Sequence, residues 1–225
     1  MISTGPTPAD LPLIERLAAI PYTGAVTDIL DEMGYRHQVL PHEIQSLVPG
    51  QTVAGRALTL RGEPCEIDDP DVIFPPFLKM LGEIRPGDVI TTQANDNVSA
   101  HLGELSSETA KFRGARGAVI DGGARDTEYM VRLGFPVFAR YKTPADIRGR
   151  WHLVEWNVPI VIGSVSISPG DLVLGDRDGA IIIPQKIAEE VVTKAEEVVQ
   201  TENQVRAAIL SGVLPLEAYQ RFGRF

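Results

Sequence analysis

Leu11, Leu13, Ile14, Leu17 and Ile20 fall on one helical face. Val26, Ile29, Leu30 and Met33 repeat that period before Gly34 ends it, so residues 8–34 predict two helices. Val53–Leu60 alternates in the manner of a strand. Between Gly62 and Pro76 the pattern dissolves into Glu63, Glu66, Asp68, Asp69 and Asp71 among prolines, which reads as an exposed acidic loop.

The centre is more regular. Asp88–Thr92 predicts a strand opened by the turn Arg85-Pro86-Gly87, and the loop QANDNVSAHLG leads to a helix near Glu104–Arg113. Ala118–Asp121 is a second strand, followed by a glycine loop at Gly122-Gly123 and a short helix, Thr127–Leu133. Pro136–Ala139 is a third. Strand–helix–strand–helix–strand with short connections is a βαβαβ unit, which builds a parallel sheet with right-handed crossovers. After Trp151 the runs VPIVIGSVSI, DLVLGD and GAIIIP are separated by Ser168-Pro169-Gly170 and Asp176-Arg177-Asp178-Gly179, predicting antiparallel hairpins. A long helix, about Ile187–Leu210, precedes a short aromatic tail. The fold class is α/β: one domain over residues 1–225, with a parallel core, an antiparallel β layer and a long C-terminal helix.

Composition narrows the function. At 225 residues the chain can bury a core without staples, and its single cysteine, Cys65, excludes an intrachain disulfide or a cysteine zinc cluster. The net charge of −9 argues against a nucleic-acid partner. No apolar run is long enough for a membrane span, and the N-terminus carries no secretory pattern, so a cytoplasmic protein is expected.

Ligands of open parallel sheets bind where strands end and helices begin. Two such places carry chemistry. His101-Leu102-Gly103-Glu104-Leu105-Ser106 puts the Leu105 and Ser106 amides at a helix start, where an anion is welcome. Gly122-Gly123-Ala124-Arg125-Asp126 sets a guanidinium beside a carboxylate; Arg125 can fork onto a substrate carboxylate and Asp126 can ligate a divalent cation. The bland alternative is that Asp126 caps the helix at Thr127 and Glu104 merely suits a helix N-terminus. His101 is a weaker candidate beside the same site. Glu202 is independent evidence, because it interrupts the apolar stripe Ile187, Val191, Ala195, Val198, Val205, Ile209 of the last helix. A carboxylate there needs a partner.

The stretch GELSSETAKFRGARGAVIDGGARD resembles the signature of the RraA-like family, which contains 4-hydroxy-4-methyl-2-oxoglutarate aldolases and the regulator of ribonuclease activity A. That signature is an acidic residue, twenty intervening positions and Arg-Asp, met here by Glu104 and Arg125-Asp126. TGAVTDILDEMG, AGRALTL, RPGDVI, PVFARYKTPADIRGRW and SPGDLVLGDRDGAIIIP are similar to further family blocks, so the resemblance covers roughly Thr23 to Glu202. It implies a metal-dependent (class II) pyruvate aldolase, a carbon–carbon lyase acting on 4-hydroxy-2-oxo diacids, with oxaloacetate decarboxylation as a companion activity. By the same resemblance Asp126 ligates Mg²⁺ or Mn²⁺ directly, while Glu104 and Glu202 hold it through water, Glu202 from an adjacent subunit of a trimer or hexamer. Arg125 contacts the pyruvyl part, and Gly103, Leu105 and Ser106 surround the substrate carboxylate. The alternatives are a protein-binding regulator of ribonuclease without catalysis, and a module that only binds a 2-oxo acid.

Overall fold

The computed structural model describes residues 10–48 and 50–225. Its frame is a mixed sheet whose four central strands are parallel: β2 (Val53–Pro64), β3 (Asp88–Gln93), β5 (Gly117–Ala124) and β6 (Val137–Lys142). Three helices make the crossovers between them, α3 (Pro70–Glu83), α4 (Glu104–Phe112) and α5 (Thr127–Leu133). The parallel unit is thus one βα step longer than the sequence pattern predicts.

The extra step lies where an acidic loop is expected. Gly62–Pro64 finishes β2, and Pro70 opens α3, so that stretch is largely regular structure. Asp69 caps the helix by accepting the Asp71 N–H at 2.9 Å, and Pro70 occupies the first turn, where its missing donor costs nothing. Ile73, Met80 and Leu81 are buried under the sheet, while Glu63, Glu66, Asp68, Asp69 and Asp71 are exposed, as expected. Nor do Gly122 and Gly123 form a loop. Both lie inside β5, and a Cβ on Gly122 would sit 2.6 Å from the His101 ring. These glycines make room for the protein's own His101 and Tyr141 rather than for a ligand.

Around the parallel core the order is β1-β6-β5-β3-β2-β10-β11, with β1 (Gln45–Ser46), β10 (Leu172–Asp176) and β11 (Gly179–Ile183) antiparallel to their neighbours. The Asp176–Gly179 turn is the hairpin turn that its residues predict. Two short strands escape the pattern: β4 (Ala100–Leu102) beside β5 and β7 (Trp151–Trp156) beside the far half of β2. Residues 38–46 strap β11 to β6: Leu40 N–H donates to Ala180 O and Ile182 N–H to Gln38 O, both at 2.9 Å. The sheet is nearly closed. Its interior holds Val53, Val89, Val119, Phe138 and Val173, together with the apolar side chains of the hairpin β8 (Ile160–Ile162) and β9 (Val165–Ile167).

Outside, α1 (Leu11–Ala18), α2 (Thr23–Glu32) and the long α6 (Ala188–Leu210) cover β10 and β11 with Ile14, Leu17, Val26, Leu30, Val191 and Ala195. A last helix, α7 (Pro215–Phe222), occupies the expected tail. Among the described residues no helix is long and apolar enough to cross a membrane.

Candidate functional site

Arg125 and Asp126 follow β5 directly, at the carboxyl end of the parallel strands. β4 lies beside this end with Leu102 in register with Ala124, and the Arg125 N–H donates to Leu102 O at 3.0 Å. That pairing brings the start of α4 against the Arg-Asp pair, joining two segments twenty residues apart.

Asp126 does not cap its own helix. Its backbone is left-handed (φ 55°, ψ 31°), a conformation uncommon outside glycine although aspartate tolerates it, and no side-chain cap bond to α5 is made. Its Oδ2 instead accepts the Glu104 N–H at 3.0 Å, at the amino end of α4. Gly103 permits this approach. A Cβ there would lie 2.8 Å from Asp126 Oδ2 and 3.2 Å from Arg125 Nε. Ser106 Oγ accepts the Gly103 N–H at 2.9 Å and so closes the first turn, while Leu105 is exposed. The amides of that turn have no partner inside the helix, the usual condition of a helix start.

Arg125 is half-exposed. Its NH1 donates to Asp146 Oδ2 at 2.7 Å, and its Nε stands 3.6 Å from Asp126 Oδ2, so most of the guanidinium's five donors remain available. Beside it opens a cleft of about 340 Å³ lined by Ala124, Arg125, Asp126, Thr127, Lys142, Thr143 and Pro144. Lys142 ends β6 directly across from Ala124 in the ladder. Asp146 and Lys142 escape sequence reasoning, which has no periodic signal in a strand end and the turn beyond it.

His101 lies beneath the cleft rather than in it. Its side chain is buried, its Nδ1 accepts the Gly123 N–H at 3.1 Å, and its Nε2 is 3.2 Å from Asp96 Oδ2. Burial drives its pKa below the ordinary histidine value, against the opposing pull of Asp96. Burial would raise the pKa of Asp96, but the Ser99 and Val98 N–H groups and His101 hold it low. Because Nδ1 accepts from Gly123, the neutral imidazole would carry its proton on Nε2, facing Asp96. It fastens β4 to β5 just before both segments enter the site. Trp151 packs edge-on against the imidazole and donates its indole N–H to Ala94 O at 2.8 Å.

Glu202 does not line the cleft of its own chain. It sits on α6 between buried Val198 and Val205, and the Tyr22 hydroxyl donates to its Oε2. Tyr22 titrates above the ordinary tyrosine value because of burial and then because of Glu202. The partner that its place on the stripe demands is, within one chain, this hydroxyl.

The chain matches the family model RraA-like (Aldolase/RraA) over residues 23–182 and belongs to that family. A protein of Halalkalibacterium halodurans named "Putative 4-hydroxy-4-methyl-2-oxoglutarate aldolase" is 33% identical over 212 residues, 94% of this chain and 95% of its own length. Among solved structures, an uncharacterized protein from Pseudomonas syringae superposes with TM-score 0.85 at 30% identity, covering 96% of each chain. Streptomyces coelicolor RraAS2, described as an unusual member of the RNase ES inhibitor RraA family, gives TM-score 0.78 at 31% identity over 87% of this chain and 97% of its own. Glu202 lies beyond the residues matched by the family model.

Proposed function

We propose that the chain is a divalent-cation-dependent lyase that releases pyruvate from 4-hydroxy-2-oxo diacids and decarboxylates oxaloacetate at the same site. The carrying observation is the Asp126 carboxylate, turned off its own helix and set beside a guanidinium that is only partly paired.

The donor set suits a hard cation. Among the described residues no three His, Cys, Asp or Glu side chains converge into a cage, and Asp126 offers one carboxylate. Mg²⁺ ordinarily takes one or two carboxylates, several waters and oxygens of the substrate, and Mn²⁺ shares its preference for such ligands. Asp126 would hold the ion, with Glu104 on the adjoining turn and Glu202 from a second copy holding its waters. When bound, the cation supplies Lewis-acid polarisation of the 2-oxo acid.

The chain's own groups do the rest. Arg125 faces the pyruvyl oxygens, where negative charge grows as the C3–C4 bond breaks and its electron pair passes into the enolate. The Leu105 and Ser106 amides receive the carboxylate next to the carbonyl. The proton of the 4-hydroxyl passes to a water that Glu104 and Glu202 would hold, and a proton returned from that water to C3 of the enolate completes pyruvate. With oxaloacetate the same enolate forms as CO₂ departs. A Glu202 supplied in trans fits a homo-oligomer, a trimer or hexamer.

Purified protein is expected to release pyruvate from oxaloacetate and from a 4-hydroxy-2-oxo diacid in Mg²⁺, and to stop when EDTA is added. Release that is indifferent to EDTA would overturn the cation dependence. No release from any diacid would overturn the lyase and leave a regulator of ribonuclease as the better reading.

A further inference from the structure

The cleft holds a positive charge that the pyruvyl half of a substrate does not use. Of its lining residues Arg125 and Lys142 are cations and Asp126 is the one anion. Arg125 is met by Asp146 at 2.7 Å from just outside the lining. Lys142 is exposed and, among the described residues, makes no ion pair or side-chain hydrogen bond. Its place is fixed by the ladder: Lys142 pairs with Ala124, the residue immediately before Arg125-Asp126, so its stem rises from the neighbouring strand at the same height as the site.

We infer that Lys142 is the specificity-determining residue of this site, receiving the distal carboxylate of a dicarboxylic 2-oxo acid. The inference rests on the lyase reading above and names what that reading leaves open, namely which end of the substrate the cleft selects. Charge complementarity supports it. Arg125 is already met by Asp146, and Asp126 would be met by the ion it holds, so Lys142 is the one charged group of the lining left without a counter-charge, and it suits a second carboxylate. The chain as a whole carries −9, so an isolated ammonium also gives an anionic substrate a local point of attraction on a repelling surface. A flexible ammonium is suited to this end of the molecule. The distal carboxylate varies in distance from the reacting carbons among 4-hydroxy-2-oxo diacids, whereas the rigid fork of Arg125 suits the invariant pyruvyl end.

The test uses two ligands that differ only at the far end, 2-oxoglutarate and 2-oxopentanoate, titrated calorimetrically into the full-length protein in Mg²⁺. Neither has a 4-hydroxyl to cleave, so binding is read apart from turnover. Wild-type protein is expected to prefer 2-oxoglutarate by about tenfold, the value of one charge-assisted contact at a partly exposed site. Lys142→Met is expected to bring the two affinities together by weakening 2-oxoglutarate alone, and Lys142→Arg to retain the preference. Equal affinities in the wild type, or a Lys142→Met variant that weakens both ligands alike or neither, would overturn the inference. Failure of the lyase reading appears separately, as absence of pyruvate release from the cleavable diacids.

Discussion

Two arginines stand at opposite ends of the parallel strands and are treated in opposite ways. Arg56, near the amino end of β2, donates from Nε and NH2 to Asp88, at 2.9 and 2.6 Å, and from NH1 to both oxygens of Asp10, at 2.6 Å, with Pro86 O taking a further bond. Its side chain is 15% exposed and that of Asp88 7%. Arg125, at the carboxyl end, makes one close ion pair and is 37% exposed. The first guanidinium is consumed in tying α1 to the sheet. The second is fixed at one corner and left open on the rest, the state a group must be in to meet a substrate. Saturation of donors, more than the presence of an arginine beside an aspartate, separates a structural pair from a reactive one.

Matched substitutions separate the two arginines most widely. Arg125→Met is expected to lower pyruvate release about 10²–10³-fold, as for loss of a transition-state charge contact, with stability changed by less than about 1 kcal/mol. Arg56→Met is expected to do the reverse. Stranding the buried Asp88 costs about 3–5 kcal/mol in a urea titration, while the folded fraction keeps its turnover. Equal losses of activity in the two variants would erase the distinction.

Gly103→Ala probes the spacing of the open pair. The added methyl would lie against the terminal oxygen of Asp126 and the Nε of Arg125, both able to move, so the fold survives while the pair is displaced. A shift of this size, roughly 1 Å, costs about 10²-fold in rate, and an unchanged rate would mean that the spacing is irrelevant to chemistry.

The smallest effect expected is a pH dependence from His101. Burial lowers its pKa in the folded protein, so the unfolded chain binds the proton more readily. The stability contributed by the neutral imidazole is complete above the unfolded value of about 6.5 and is lost as pH falls through the lowered folded value. Protonation would also set an Nδ1–H against the Gly123 N–H. Urea midpoints of wild type and His101→Gln, compared from pH 8 to 5, should converge as the pH falls, and a constant gap would refute the assignment.

Much of this site was readable because its residues obey local rules. Glu104, Arg125 and Asp126 sit at helix starts, where the alternation of strand and helix patterns in the sequence places them. The role of Asp126 as an acceptor for α4 was not readable, since it depends on β4, three residues whose pairing with β5 no periodicity announces. Lys142 and Asp146 were hidden for the same reason: only the register of β6 brings them to the cleft. In the fold, α3 was obscured by Pro75 and Pro76, which read as breakers although Ile73, Met80 and Leu81 keep helical spacing. The burial of that face outweighs the lost hydrogen bonds.

The strap of residues 38–46 has a consequence for how the molecule meets its surroundings. A sheet that ended at β11 on one side and β6 on the other would present two rows of unpaired backbone groups, each a template for a foreign strand. By bonding to Ala180 and Ile182 at one end and passing through β1 onto β6 at the other, the strap pairs the middle of each row with the chain's own backbone. Strand addition, the route by which partly unfolded sheet proteins recruit one another into fibres, is thereby obstructed at both ends of the main strand order. Release of that one segment, by proteolysis at its exposed His42 and Glu43 or by local opening, would reopen them together.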